Sequence, residues 1–198
     1  MRCFRLVQNC GTAMMMFVFC CIVGMTSIPS IHMIRSVSNE SIFSISIMFG
    51  LGLVLQNILH LWTCAVLSRV CSRCVQPGVH PLHSIATIGW GGATAFHRMC
   101  ILILPAYLPT FVGQLYYEIS GLQSGRNVNI NTAYVNDAHL VSIGAGSVVG
   151  GCAFINCHIV EDGTLILAPI RIGINCTIGA GAFLNPGVEL EDGATIAS

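Results

Sequence analysis

Residues 171–196 read RIGINCTIGAGAFLNPGVELEDGATI, a stretch with a regular apolar repeat. A large aliphatic residue recurs at every sixth position, which is neither the period of a helix nor that of an alternating strand. A short repeat of this kind can bury its apolar face only against its neighbours, so it predicts a solenoid. One aliphatic residue per six-residue side predicts a short left-handed parallel β-helix with about three sides per coil. The aliphatic positions are Ile172, Ile178, Leu184, Leu190 and Ile196.

The repeat continues upstream, but its phase slips once. Val160 and Ile166 keep the phase of the quoted stretch, whereas the period before them is one residue out of phase, at Ile143, Val149 and Ile155. The slip lies within INCHIVEDG, residues 155–163. A slipped repeat must bulge or extrude a loop, and in solenoids such insertions gather on one face, often the binding face. We therefore expect the functional site to lie at this phase slip.

The first part of the chain is apolar and almost uncharged. The 198 residues carry no net charge, only 8% are charged, and the mean hydropathy is +0.78. In soluble domains about a quarter of the residues are charged. The charge-free stretches 6–34 and 41–68 each exceed the roughly 20 residues that cross a bilayer. They predict two membrane spans, with a cleaved signal peptide as the alternative for the first.

These patterns predict a membrane region followed by an all-β domain. In the segment near 99–117, Pro105 and Pro109 would interrupt a spanning helix, so an interfacial or re-entrant segment is expected there. The predicted organisation is a membrane region over 1–120, with spans near 11–34 and 42–68, and the β-helix over 121–198.

The positive charges predict an orientation. The chain has no lysine, and only Arg35 lies between the two predicted spans, whereas the flanking segments carry Arg2, Arg5, Arg69, Arg73 and Arg98. The positive-inside rule then predicts an integral membrane protein with both flanks and the β-helix on the cytoplasmic side. Membrane lipid is an expected partner. Zero net charge without a basic patch argues against nucleic acid.

Two stretches resemble a known family: SGRNVNINTAYVNDAHLVSIGAGSVVGG at 124–151 and HIVEDGTLILAPIRIGINCTIGAGAFLNPGVELEDGATI at 158–196. They are similar to hexapeptide-repeat acyltransferase-like proteins, and most to the membrane-embedded terminal domain of non-ribosomal peptide synthetases of the poly-lysine synthetase type. The resemblance implies acyl or aminoacyl transfer from a thioester donor to an amine or hydroxyl. The donor would be acyl-CoA or the phosphopantetheine thioester of a carrier protein, with no bound cofactor.

The same resemblance implies a carrier protein as a partner and a homotrimer by analogy. The chain ends at Ser198 in mid-coil, so we expect a β-helix truncated at its C-terminus. The alternative function is a non-catalytic membrane-anchored scaffold, or an inactive fragment of a synthetase.

His158, at the phase slip, is the candidate general base because histidine is the residue type suited to proton transfer near neutrality. Glu161 and Asp162 are close in sequence and are expected to orient the ring. His139 and Asn156 are candidate substrate-binding residues. The alternative for His158 is a corner histidine that hydrogen-bonds the backbone.

No metal is predicted, with one weak alternative. The stretch CSRCVQPGVHPLH has the formal spacing C-x2-C-x5-H-x2-H, which could provide a tetrahedral zinc site from Cys71, Cys74, His80 and His83. The cysteine pair and the histidine pair are closer together in sequence than in the usual zinc finger. Cysteines beside a membrane span are equally typical of palmitoylation.

Overall fold

The computed structural model describes the backbone of residues 2–198 and the side chains of residues 13–198. The chain forms two compact units, which meet in sequence between Thr63 and Cys64. It begins with two long helices, α1 (Arg2–Ser36) and α2 (Ile42–Ser72). Ala13–Ser36 and Ile42–Ser72 are long and apolar enough to cross a membrane by length and composition. The two predicted apolar helices are therefore confirmed.

A short strand and two shorter helices follow α2. They are β1 (Gly78–Pro81), α3 (Ile85–Cys100) and α4 (Phe111–Ser120), with a single 3₁₀ turn at Leu104–Tyr107. The Ser84 hydroxyl accepts a hydrogen bond from Thr87 N, which caps the start of α3. The Thr110 hydroxyl caps α4 through Val112 N. The predicted interfacial segment therefore includes the end of α3, the 3₁₀ turn and most of α4.

Helix α4 is fixed to the β-rich region by a buried tyrosine. Tyr117 is fully buried, and its hydroxyl donates a hydrogen bond of 2.7 Å to the carbonyl oxygen of Thr132. Tyr116 is also fully buried, and its hydroxyl lies 2.8 Å from His97 Nδ1 on α3. Both helices thus belong to the same compact unit as the strands.

The β-rich region is built from three parallel sheets, which the chain visits in rotation. The first sheet contains β2 (Gln123–Ser124), β5 (Val141–Ile143), β10 (Ile170–Ile172) and β13 (Glu189–Leu190). The second contains β3 (Asn129–Ile130), β6 (Val148–Val149), β11 (Thr177–Ile178) and β14 (Thr195–Ile196). The third contains β4 (Val135–Asn136), β7 (Phe154–Asn156) and β12 (Phe183–Leu184). A β-rich region with parallel sheets is thereby confirmed.

The six-residue period corresponds to one strand and one corner. Ile143 pairs with Ile172, which pairs with Leu190 in the next strand, so equivalent aliphatic residues stack. Ile143, Ile172 and Ile178 are at most 4% exposed. The corners stack closely as well, because a Cβ at Gly144 would lie 2.5 Å from the carbonyl carbon of Gly173. Glycine is therefore required where successive backbones touch.

The phase slip corresponds to a β-hairpin. Strands β8 (His158–Glu161) and β9 (Thr164–Leu167) pair antiparallel, and β1 pairs antiparallel with the other edge of β9. The expectation that Val160 and Ile166 continue the repeat is therefore wrong. Val160 is 50% exposed and pairs with Leu165 across the hairpin. Asp162 and Gly163 both have positive φ, as the tight turn of such a hairpin requires.

Candidate functional site

His158 is hydrogen-bonded to a carboxylate at the base of the hairpin. Its Nδ1 atom lies 2.6 Å from Asp137 Oδ2. The Asp137 side chain is 3% exposed and the His158 side chain 22%. The acid is therefore enclosed, whereas the imidazole can be reached from solvent.

The pairing of strands brings the two residues together. Asn136 on β4 lies opposite Asn156 on β7, so Asp137 follows β4 at the level where the chain enters β8 at His158. Asp137 has a φ of 60°, a left-handed conformation that aspartate adopts more readily than most residues. This conformation ends β4 and starts the 3₁₀ turn Ala138–Leu140.

Trp90 on α3 completes the surroundings of the acid. Its Nε1 donates a hydrogen bond of 2.9 Å to Asp137 Oδ1, so each carboxylate oxygen has a partner. The Trp90 ring also meets the His158 ring edge-on, with centroids 4.9 Å apart. A buried carboxylate is costly unless it is paired and hydrogen-bonded, and these two contacts meet that requirement.

Asn156 contacts the site through the backbone of His158. Its Nδ2 atom donates a hydrogen bond of 2.7 Å to the carbonyl oxygen of His158. Asn136 Nδ2 in turn donates to Asn156 Oδ1 at 3.2 Å. This chain of amides fixes the main chain where β8 begins. A role of Asn156 in binding substrate stays a prediction.

The arrangement leaves one ring nitrogen of His158 for chemistry. Nδ1 is held by Asp137, and Nε2 has no hydrogen-bond partner within the side chains of residues 13–198. With Nδ1–H donating a hydrogen bond to the carboxylate, Nε2 carries the lone pair that can accept a proton from a substrate.

The acid that holds His158 differs from the one expected. Glu161 and Asp162 are exposed at the turn of the hairpin, and Asp137 takes the place expected for them. In an extended strand, residues three apart are separated by about 10 Å, so Glu161 cannot orient the ring of His158 from the same strand. Proximity in sequence was the wrong guide to the partner.

His139 lies on the neighbouring 3₁₀ turn and is not part of the His158–Asp137 pair. Its Nε2 atom is buried and has no hydrogen-bond partner among the described residues. Burial lowers the pKa of His139, an effect opposed by Asp137 and reinforced by Arg69. His139 therefore faces a different environment, and its role in binding substrate stays a prediction.

The weak zinc alternative receives no support from the geometry. Within the described side chains, no three of its four residues bring their ligand atoms within 4.8 Å of one another. His80 lies on β1, and its Nε2 atom is 2.8 Å from the carbonyl oxygen of Gln76. The four residues of this zinc alternative are Cys71, Cys74, His80 and His83.

Two contacts of the site, that of Asp137 with His158 and that of Trp90 with Asp137, could not be derived from the sequence. Asp137 is 21 residues from His158, and Trp90 is 47 residues from Asp137. No motif links them, because the contacts depend on strand pairing and on the position of α3. The only local signal is the asparagine–aspartate pair at 136–137, which is also typical of turns.

No protein-family model matches this chain. The chain is similar to a crystal structure of serine acetyltransferase isoform 3 in complex with cysteine, from Entamoeba histolytica. The two share 13% sequence identity over 85% of this chain and 67% of that chain, at a TM-score of 0.22.

Proposed function

We propose that this protein transfers an acyl or aminoacyl group from a thioester to an amine or hydroxyl, with His158 as the general base. The observation that carries the proposal is the 2.6 Å contact between His158 Nδ1 and the enclosed carboxylate of Asp137. A histidine oriented by a buried acid, with its second nitrogen accessible, is the arrangement that general-base catalysis uses.

The proposed step follows from the roles of the two ring nitrogens. Nε2 of His158 takes the proton of the acceptor as its nitrogen or oxygen attacks the thioester carbonyl. The carbon–sulfur bond then breaks, and the imidazolium returns the proton to the departing thiolate. Asp137 holds the ring in the required tautomer and stabilises the transient positive charge.

The fold that supports this site is proposed to be a left-handed parallel β-helix. Three parallel sheets visited in rotation, with stacked aliphatic residues at every sixth position, support that assignment. We further propose that α1 and α2 anchor the protein in a membrane, with the β-helix on the cytoplasmic side. The length of their apolar stretches and the distribution of arginine support this part.

The donor and the partners are finer proposals. An acyl-CoA or a carrier-protein phosphopantetheine thioester would provide the activated group, as in the synthetases that the β-rich region resembles. A carrier protein would be the partner in the second case, and a homotrimer is proposed by analogy. The competing function is a membrane-anchored scaffold, which would leave the paired histidine without a chemical role.

The test measures thioester turnover by the purified chain, with acetyl-CoA or acetyl-phosphopantetheine as donor and an amine or a hydroxyl compound as acceptor. Turnover is detected as the release of free thiol. His158→Ala and Asp137→Asn should each reduce the rate by about 10²–10⁴-fold, because both disable the base. Glu161→Gln and Asp162→Asn are the matched controls, and both should leave the rate unchanged.

Turnover that survives His158→Ala would refute the mechanism. A wild-type chain that cleaves neither thioester while remaining folded would favour the scaffold. A loss of activity in Glu161→Gln equal to that in Asp137→Asn would show that the wrong acid has been assigned.

A further inference from the structure

A cavity of about 440 Å³ opens in the second compact unit, beside the 3₁₀ turn that carries His139. Its walls come from the end of α2, the segment before β1, and strands β2, β5 and β10. The polar and charged residues that line it include Arg69, Arg73, Gln123, His139, Ser142 and Arg171. Neither His158 nor Asp137 lines this cavity.

The lining is strongly positive. The whole chain has eight basic residues and no net charge, yet three of those eight line this cavity, and no acidic residue of the described part does. Arg69 lies in the last turn of α2 and Arg73 directly follows its end, and both side chains line the cavity. Such a concentration creates a local positive potential in a neutral protein.

Arg69 and Arg73 have no counter-charge among the described residues. Among the side chains of residues 13–198, neither Arg69 nor Arg73 forms an ion pair. Arg171 does pair with Glu189 through Nη1, which leaves its other N–H groups available. The cavity thus offers at least two guanidinium groups without a protein counter-charge.

Neighbouring residues fix and complement these groups. The Arg69 guanidinium lies against the backbone at Gly121, where an added Cβ would be only 2.7 Å from Nη1. His139 contributes a ring whose Nε2 lacks a partner among the described residues. Hydroxyl and amide groups of Ser142 and Gln123 add further polar capacity at the same walls.

We propose that this cavity binds a phosphate group. Planar guanidinium groups bind phosphate through paired, charge-assisted hydrogen bonds, and several converging donors suit its oxygens. Two sources could supply the group. Arg69 is the first charged residue after the uncharged stretch 41–68, where the headgroup of an anionic phospholipid would lie if α2 spans a membrane. A soluble phosphate ester could enter as well.

The proposal is tested on the full-length chain in detergent micelles. Calorimetric titration with inorganic phosphate and with adenosine 3′,5′-bisphosphate measures the soluble source. Retention of phosphatidylglycerol, compared with phosphatidylcholine, measures the lipid source. The variant is Arg69→Gln/Arg73→Gln. The charge-matched control is Arg98→Gln/Arg126→Gln, which removes two arginines outside the cavity.

The cavity variant should bind the responsive probe about 10–100-fold more weakly, and the control should match the wild type. A response to the soluble probes identifies a soluble ester, and a response to phosphatidylglycerol alone identifies a lipid headgroup. Equal weakening in both double variants, or no binding of any probe by the wild type, would overturn the proposal. His158→Ala should keep full binding, so this result does not depend on whether the chain transfers acyl groups.

Discussion

Asp137 combines two features that are each unfavourable for an aspartate. Its backbone is left-handed, and its polar side chain is almost completely enclosed. The contacts that compensate are specific, since Trp90 Nε1 binds one oxygen and His158 Nδ1 the other. Because an unsatisfied buried acceptor costs about 1–3 kcal/mol, each of these donors should also contribute to stability.

Trp90→Phe tests that contribution. The variant keeps an aromatic ring beside His158 but removes the N–H that Asp137 Oδ1 accepts. We expect a loss of about 1–3 kcal/mol in the free energy of unfolding. For a chain of this size each kcal/mol corresponds to about 2–4 °C in Tm, which thermal unfolding measures.

Trp62→Phe is the matched control. Trp62 Nε1 is buried and has no hydrogen-bond partner among the described residues, so the same substitution removes a donor that binds nothing there. Its effect on Tm should be clearly smaller than that of Trp90→Phe. Equal shifts for the two variants would mean that ring volume, and not the hydrogen bond to Asp137, accounts for the loss.

Among the elements, the repeat and the hairpin differ in how far sequence could predict them. The coil strands were predictable because every sixth residue must bury the same apolar side chain, as Ile143 and Ile172 do. The phase slip located the interruption but not its form. Asp162 and Gly163 are a turn signal for a hairpin. The third strand of the sheet, β1, lies 83 to 89 residues before its partners in β9 and left no sequence trace.

We expect the packing of α3 against α4 to depend on pH. His97 on α3 is buried against Tyr116 on α4, and burial lowers the pKa of His97 below its ordinary value of 6.5. In the pH range between the lowered pKa and 6.5, the unfolded chain binds a proton that the folded ring does not. The stability should therefore fall as the pH drops below 6.5, by at most about 1.4 kcal/mol per pH unit for this group.

His97→Asn should reduce the slope of Tm against pH between 7.5 and 5.5, although not abolish it, because the pKa of His139 is lowered by burial too. His83→Asn provides the control, since His83 is exposed. A wild-type Tm that stays constant over this range, or equal slopes for wild type and His97→Asn, would contradict the predicted linkage.

In the molecule as a whole, the end of the uncharged stretch and the boundary between the two compact units fall at different residues. The uncharged stretch ends at Ser68, whereas the second compact unit begins at Cys64, within α2. At 1.5 Å per residue α2 is about 46 Å long, well beyond the roughly 30 Å of a hydrocarbon core. A spanning α2 would therefore have length to spare at its ends. Composition predicts that such a helix exists, but not where the span stops.

The orientation can be measured with two epitope tags in one chain, one inserted after Asn39 between α1 and α2 and one after Ser198. If both helices cross the membrane with their arginine-bearing flanks inside, the first tag lies outside and the second in the cytoplasm. Protease added to sealed inside-out vesicles should then remove only the Ser198 tag, and in right-side-out vesicles only the Asn39 tag. Detergent should expose both. Two tags that are cleaved together from one side, without detergent, would show that the helices do not form a pair of spans, and the cytoplasmic placement of His158 would lose its basis.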